Sequence, residues 1–419
     1  MKMKKIVISL FTVGLMASPL ANATNGYFSH GYGMKAKGMA GAGIALPQDS
    51  IAAANNPAGM VLVGNRADLG LDVFKPTRGS TITGGNLFGA DGTYDGNGKS
   101  MFFIPEFGYN KMLSSDMSLG VSVYGNGGMN TQYDTNPFAA FGSSGTAGIN
   151  LEQLFIAPTW AKKLNSEHSI GVALNLVYQT FSATGLQAFA PMSSNATSLT
   201  NNGKDSSTGF GLRLGWTGEL SPMLTMGATY QPKTKMSKFS KYAGLFAEQG
   251  GFDIPATYGL GISVKATPAT TIAADYQAIQ YGGVRSIANT LSAGGPLGAD
   301  NGMGFGWTNV TVLKLGVSQV MSDSLTVRGG YSHNSQPIPT DQTFFNILAP
   351  GIVQDHLTLG ATWNLSKENE LTVGYMHAFN KKVNGSGSIP PGMPPGMGGG
   401  EANIKMYENS IGVAYSWKM

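Results

Sequence analysis

Met117-Ser-Leu-Gly-Val-Ser-Val-Tyr124 is the stretch that decides the fold. Leu119, Val121 and Val123 fall on one side of an extended chain, and Ser118, Gly120 and Ser122 fall on the other. This period of two is the pattern of a half-buried strand. The polar side is small rather than charged. Glycine and serine there leave space inside a cylinder, while leucine, valine and aromatics on the other side suit lipid. Phe210-Gly-Leu-Arg-Leu-Gly-Trp216, Tyr258–Val264, Leu357–Trp363 and Ile411–Trp417 read the same way.

Working outward, fourteen such segments can be placed. They span about 66–76, 101–112, 117–126, 151–163, 168–180, 207–218, 223–234, 255–266, 270–281, 308–320, 324–333, 354–366, 369–380 and 406–418. Their connections alternate. Short ones lie near 113–116, 164–167, 219–222, 267–269, 321–323 and 367–368; long ones lie near 77–100, 127–150, 181–206, 235–254, 282–307, 334–353 and 381–405. Short turns on one rim and long loops on the other mark an outer-membrane barrel with both termini periplasmic. The expected fold is therefore all-β, a 14-stranded antiparallel transmembrane barrel. Aromatics near strand ends, among them Tyr109, Trp160, Trp216, Trp363 and Trp417, sit where an interfacial girdle belongs or are ordinary strand aromatics.

The totals agree. Only 12% of the 419 residues are charged and 60 are glycine, against typical shares of roughly 25% and 7%. A mean hydropathy of −0.03 argues equally against a helical membrane protein. Residues 1–23 read as a signal peptide: Lys2, Lys4 and Lys5, an apolar run Ile6–Met16, and the small-x-small site Ala21-Asn22-Ala23. Without those three lysines 24 basic residues face 23 acidic ones, so no basic footprint for nucleic acid remains. Cysteine is absent, which removes disulfides and thiolate chemistry. His30, His168, His333, His356 and His377 are scattered without metal-ligand spacing, and no metal or cofactor is expected. The glycines of 38–43 lack a preceding strand and a nucleotide-binding spacing. Pro390–Gly400 is low-complexity and reads as a mobile extracellular loop.

Residues 24–63 do not alternate and hold too few large apolar residues for a core of their own. They read as a separate unit that a barrel formed by 64–419 surrounds. Gln48–Asn55 reads as a short helix. Asn56 precedes a proline and is pushed out of the helical region. Gly59 is free to take a positive φ. The bend at Asn56-Pro57-Ala58-Gly59 either fixes the inner unit or moves with ligand.

Three stretches carry a family resemblance: Gly33–Gly43 with Asn56-Pro57-Ala58-Gly59; Lys238–Phe246 leading to Phe252-Asp-Ile-Pro255; and Val327–Pro339 with the last hairpin. Over essentially the whole mature chain the sequence resembles the FadL/TodX family of outer-membrane transporters for long-chain fatty acids and aromatic hydrocarbons. The ending Trp417-Lys418-Met419 departs from the aromatic last residue usual in such barrels. The resemblance implies that 24–63 is a hatch inside the lumen. It further implies capture of a hydrophobic ligand by extracellular loops, a pocket near the hatch, and lateral release where the third strand kinks.

The residues available for those roles follow. Gly125-Asn126-Gly127-Gly128 weakens strand pairing directly after Tyr124 and permits a kink, or simply begins a loop. Met236, Phe239, Tyr242 and Phe246 recur at helical spacing in a long loop, with Leu186, Phe189 and Met192 as natural partners, so they form a ligand groove or pack loops together. Phe28 is the hatch aromatic assigned to the ligand. Arg213, Lys314 and Arg328, with Asp68, Asp72, Glu106 and Asp275, fall on lumenal positions. They pair with one another or the hatch, or one cation meets a substrate carboxylate. The function so implied is passive uptake of hydrophobic molecules by a monomer in contact with outer-membrane lipid, not catalysis. The alternatives are a general porin for polar solutes and a lipid hydrolase built around His377.

Overall fold

In a computed structural model, residues 24–84, 89–392 and 399–419 are described. The leader expected at 1–23 and the middle of the Pro/Gly-rich stretch, 393–398, lie outside them. The alternating segments become β1 (Arg66–Thr83), β3 (Phe102–Met112), β4 (Met117–Tyr133), β5 (Ala147–Lys163), β6 (His168–Thr184), β7 (Asp205–Ser221) and β8 (Leu224–Gln231). The remainder are β9 (Thr257–Lys265), β10 (Thr270–Ile279), β11 (Val310–Ser322), β12 (Leu325–Asn334), β13 (Asp355–Asn364), β14 (Asn369–Val383) and β15 (Glu401–Lys418). Each pairs antiparallel with its neighbour, and β1 with β15, running from Arg66 against Lys418 to Thr83 against Glu401, closes the wall. The result is a closed 14-stranded barrel. A short strand, β2 (Gly92–Asp95), hangs on β1 inside the first long connection; the sequence pattern gives no sign of it.

Facing follows the alternation. In β11, Leu313, Leu315 and Val317 point out and are exposed, while Lys314 points in and is buried. Several strands outrun their sequence pattern at the long-loop rim. β1 continues to Thr83 rather than 76, and β15 begins at Glu401 rather than 406. There the ladder between two neighbours satisfies the backbone after side-chain alternation has faded. No helix is long and apolar enough to cross a membrane among the described residues.

Residues 24–63 contribute no wall strand and are almost entirely buried inside the barrel. The wall makes room with lumen-facing glycines. A Cβ on Gly171 would lie 2.3 Å from the carbonyl carbon of Pro57, and one on Gly330 would lie 2.5 Å from that of Met39. Charge then fixes the segment. Lys37 Nζ lies 2.9 Å from Asp72 and 3.7 Å from Glu106, and Lys35 Nζ lies 2.5 Å from Glu370. Asp68 accepts from the Ser50 backbone and hydroxyl, at 2.8 and 2.5 Å. Asp275 accepts from the Gly43 and Ile44 amides.

The two described chain ends lie at opposite rims. Lys418 ends β15 at the short-turn rim. Asn25 lies within the barrel near the long-loop rim, its carbonyl accepting from Tyr281 just beyond β10.

Candidate functional site

The site is built on a break in the wall. β3 and β4 pair only from Phe107 against Val123 to Met112 against Ser118. Beyond Tyr124 the β4 edge has no β3 partner. Toward β5 the register shifts between Gly125 and Gly127, leaving Asn126 as the extra residue of a bulge. Residues 122–131 are buried on both faces, so alternation ends and the strand has moved into the lumen. The freed edge cannot stay bare in a membrane. The N-terminal segment covers it: Gly128 N donates to Tyr27 O at 2.9 Å and Ser29 N donates to Asn126 O at 3.0 Å. Higher up, the loop around Gly96–Gly98 pairs with Gln132. A Cβ at Gly127 would sit 1.9 Å from Tyr27 O, so only glycine admits this approach.

Behind the break lies a cluster of buried aromatic rings. Tyr27 stands 5.1 Å from Phe28, 5.2 Å from Tyr281 and 6.2 Å from Trp307, ring centre to ring centre. Tyr32 stacks obliquely on Tyr124 at 4.9 Å, and Tyr124 on Phe155 at 5.5 Å. The Tyr281 hydroxyl accepts from the Tyr27 and Phe28 amides and donates to Asn25 O. Burial pushes the Tyr27 and Tyr32 hydroxyls well above their usual range. Phe28, the inner-segment residue assigned to ligand, stands in this cluster and also abuts Gly127.

The three lumenal cations are in different situations. Arg328 is committed, donating to Gln48 Oε1 at 3.0 Å and Thr362 Oγ1 at 2.7 Å. Lys314 is the register partner of Asp275 on the neighbouring strand. Arg213 donates to Gln231 Oε1 at 2.8 Å, and its buried Nε has no partner. Asn175 Oδ1 and Gln231 Nε2 beside it also lack partners. Arg213 thus keeps unmet hydrogen-bonding capacity, whereas both of these bonds of Arg328 hold it to Gln48 and Thr362.

The loop residues pack as two aromatic groups, and the helix their spacing suggests does not form. Residues 236–246 make no continuous helix, only a tight turn at Ser240–Tyr242, because their backbone is held by Gly209, Asp253 and Gly250 instead. Phe239, Tyr242 and Phe246 gather round Phe181 at 5.7, 4.8 and 4.5 Å. Phe189 packs with Phe138, Phe344 and Phe345. Leu186 is buried and Met192 half-buried in the same apolar mass. The link between the two loops is polar, with Ser193 Oγ donating to Gly244 O. Met236 points elsewhere and lines a cavity of about 650 Å³ on the outer face, with Leu154, Ile156, Leu176, Tyr178 and Phe210.

At the bend of the inner segment, Asn56 is extended (φ −153°) and caps the turn Pro57–Leu62 through Ala58 N. Its Nδ2 donates to Ile44 O, Trp216 O and Thr217 Oγ1, tying the segment to β7. Gly59 takes no positive φ. It sits inside the turn, where a Cβ would meet Pro47 at 2.6 Å, so its smallness and not its freedom is required. Gln48–Asn55 holds only one short turn, Ala52–Ala54, since Asp49 and Ser50 are drawn into side-chain bonds with Ile51 and Asp68.

Residues 15–388 match the model of the outer membrane protein transport protein family (OMPP1/FadL/TodX). The chain belongs to this family. Among solved structures, the Pseudomonas putida toluene transporter TodX is 18% identical, with 93% of this chain and 99% of that one covered at a TM-score of 0.70. A Pseudomonas aeruginosa FadL homologue is 16% identical over 94% and 99%, at a TM-score of 0.72. The Ralstonia pickettii toluene transporter TbuX is 17% identical over 93% and 99%, at a TM-score of 0.66. At such identities the likeness is one of fold. No curated protein sequence matches. This FadL/TodX-family chain is thus an outer-membrane transport barrel for hydrophobic compounds.

The sequence reading missed some of this family member's main lumenal residues. Tyr281 and Trp307 stand just outside strand ends, where aromatics read as girdle or loop. Arg78 and Glu408 lie on inward positions of β1 and β15 whose lumenal facing was legible from parity alone. His377, the hydrolase candidate, has its Nδ1 2.9 Å from Asn409 Oδ1 and its ring edge-on to Phe379.

Proposed function

We propose that the chain carries hydrophobic molecules passively across the outer membrane and releases them sideways between β3 and β4. The single observation that supports this is the unpaired length of β4 with the N-terminal segment lying in its place. Burying an acyl or aryl body is worth roughly 0.8 kcal/mol per CH₂, so release into water would cost what capture gained. A gap facing the bilayer avoids that cost.

In this reading the loop aromatics round Phe181 and Phe189 capture ligand, and the cluster of Tyr27, Phe28, Tyr281 and Trp307 receives it. Residues 24–63 act as the hatch, and withdrawal of Tyr27–Ser29 from β4 opens the gap. A carboxylated ligand would meet Arg213. The toluene transporters among the fold relatives and the cluster of buried rings favour monoaromatic hydrocarbons over fatty acids. The test compares uptake of labelled toluene and labelled oleate in a strain lacking this gene, with and without the gene restored. Restored toluene entry is expected. A large steady ion conductance by the intact protein in planar bilayers, without restored entry of either compound, would show a general porin instead.

A further inference from the structure

Arg78 and Glu408 are inward residues of the closing strand pair, β1 and β15. Glu408 stands opposite Pro76, and Arg78 is the next inward residue along β1. They are 2% and 0% exposed. They do not bond to one another. The guanidinium is drawn away from Glu408. One terminal nitrogen donates to Asn130 O at 2.7 Å and Asn130 Oδ1 at 3.0 Å, and the other donates to Lys99 O at 2.5 Å. Arg78 therefore bridges from β1 to β4 where β3 no longer pairs with it, at the edge of the wall gap. That leaves Arg78 Nε and both carboxyl oxygens of Glu408 buried without a partner.

Unmet polar atoms in an apolar setting are costly. The setting is mostly apolar: Pro76 and Ala378 flank Glu408 across the ladder, Met406 and Ser410 precede and follow it inward along β15, and the Ser410 hydroxyl is taken by Asp72. Phe74 and Met376 lie diagonally, and Phe102 lies 6.4 Å from Phe74 and 5.9 Å below the guanidinium. We propose that Arg78 Nε and Glu408 are the polar end of a ligand site at the gap, which takes a neutral hydroxyl on an otherwise apolar body, such as a phenol or a long-chain alcohol. The hydroxyl oxygen accepts from Arg78 Nε and its hydrogen goes to Glu408. The body rests on Phe74 and Phe102. A plain hydrocarbon leaves all three atoms unmet. A carboxylate satisfies Arg78 but sets a second acid beside Glu408. The inference rests on the transport reading for the ligand class only.

The test is calorimetric titration of the purified full-length mature chain in lipid nanodiscs with p-cresol, toluene and p-toluate. Cresol is expected to bind at least about fivefold tighter than toluene, as one buried hydrogen bond gives, and toluate weakest. Glu408→Leu should abolish the cresol advantage while toluene binding persists. Glu408→Gln, whose amide both donates and accepts, should keep it. Arg78 is left unaltered because it also braces the gap. Equal binding of cresol and toluene by the unaltered chain overturns the proposal without any variant, as does an unchanged ratio in Glu408→Leu; either result assigns the space to water. Cresol binding that needs Glu408, found together with no restored uptake, would uphold this site and overturn the transport reading alone.

Discussion

β11 and β4 start from the same kind of sequence and end in different places. β11 alternates buried and exposed residues along most of its length, and it keeps both neighbours, β10 and β12, in register. β4 alternates only as far as Val121, and residues 122–131 are then buried on both faces. Both strands face the N-terminal segment through glycine. In β11 the contact is face to face, with Gly316 against Met39. In β4 it is edge to edge, with Gly127 and Gly128 against Tyr27 and Phe28. A face contact holds the inner segment in place. An edge contact substitutes for a missing strand and can be exchanged for open wall only if the segment withdraws.

The largest break in this comparison is expected from Lys37→Met, on the holding side. It would strand Asp72 and Glu106 as buried carboxylates, a loss of the order of 3–5 kcal/mol. Hydrogen exchange across 33–55 should accelerate by at least a hundredfold while the wall strands stay protected. Lys204→Ala removes an ion pair to Glu152 whose lysine is 58% exposed, and should change little. Equal effects of the two would mean that the charge pairs do not anchor the segment.

Next comes Gly127→Val combined with Gly128→Val, on the exchanging side. A Cβ cannot coexist with Tyr27 O, so the edge contact is lost. Uptake of labelled toluene is expected to fall at least tenfold, while heat-dependent gel mobility still reports an assembled barrel. Gly329→Ala is the matching control in the regular wall, since its added Cβ would meet nothing nearer than 3.8 Å. Uptake that survives the double substitution would remove the gap from the route.

These two regions also show what the sequence could tell. The regular wall was legible because lipid on one side and packed lumen on the other impose a period of two. Arg213 and Lys314 could be placed in the lumen by parity alone. The kink at Gly125–Gly128 was visible as a place where pairing weakens. Its geometry was not, because the free edge at Asn126 and Gly128 is taken by Ser29 and Tyr27, which lie far off in the sequence. The helical spacing of the loop misled for a related reason. Helical spacing from Met236 to Phe246 is a local signal, and the rings obey distant partners, Phe181 and Phe252. Glu408 carried no signal at all beyond its facing, since an acid in a strand announces neither its burial nor its lack of a partner.

A smaller effect sharpens the holding side. Asn56→Ala deletes three donated bonds, to Ile44 O, Trp216 O and Thr217 Oγ1, and the cap on Ala58 N. The buried Ile44 carbonyl loses this donor, at about 1–3 kcal/mol. Exchange should quicken near Ile44 and Pro57 but not at Tyr27–Ser29, whose bonds run to β4. Quickening at Tyr27–Ser29 as well would join the bend to the gap as one moving unit, and would make Asn56 part of the gate rather than an anchor.

The smallest expected effect is one of pH. Asp49 lies in the inner segment, with Oδ1 accepting from Ile51 N at 3.0 Å. Burial first, and then the neighbouring Asp68, raises its carboxyl to about 7, against roughly 3.9 in an unfolded chain. A raised carboxyl binds its proton more tightly when the segment is docked than when it is free. Docking is therefore favoured at low pH, and the advantage drains away as pH rises from about 4 through 7. Protection of 33–55, corrected for intrinsic exchange, should accordingly weaken between pH 5 and pH 8. Asp49→Asn keeps the acceptor for Ile51 and has no proton to lose, so it should flatten that slope. If the slope persists in Asp49→Asn, the pH response belongs to another group and the segment is held at this point by geometry rather than by charge.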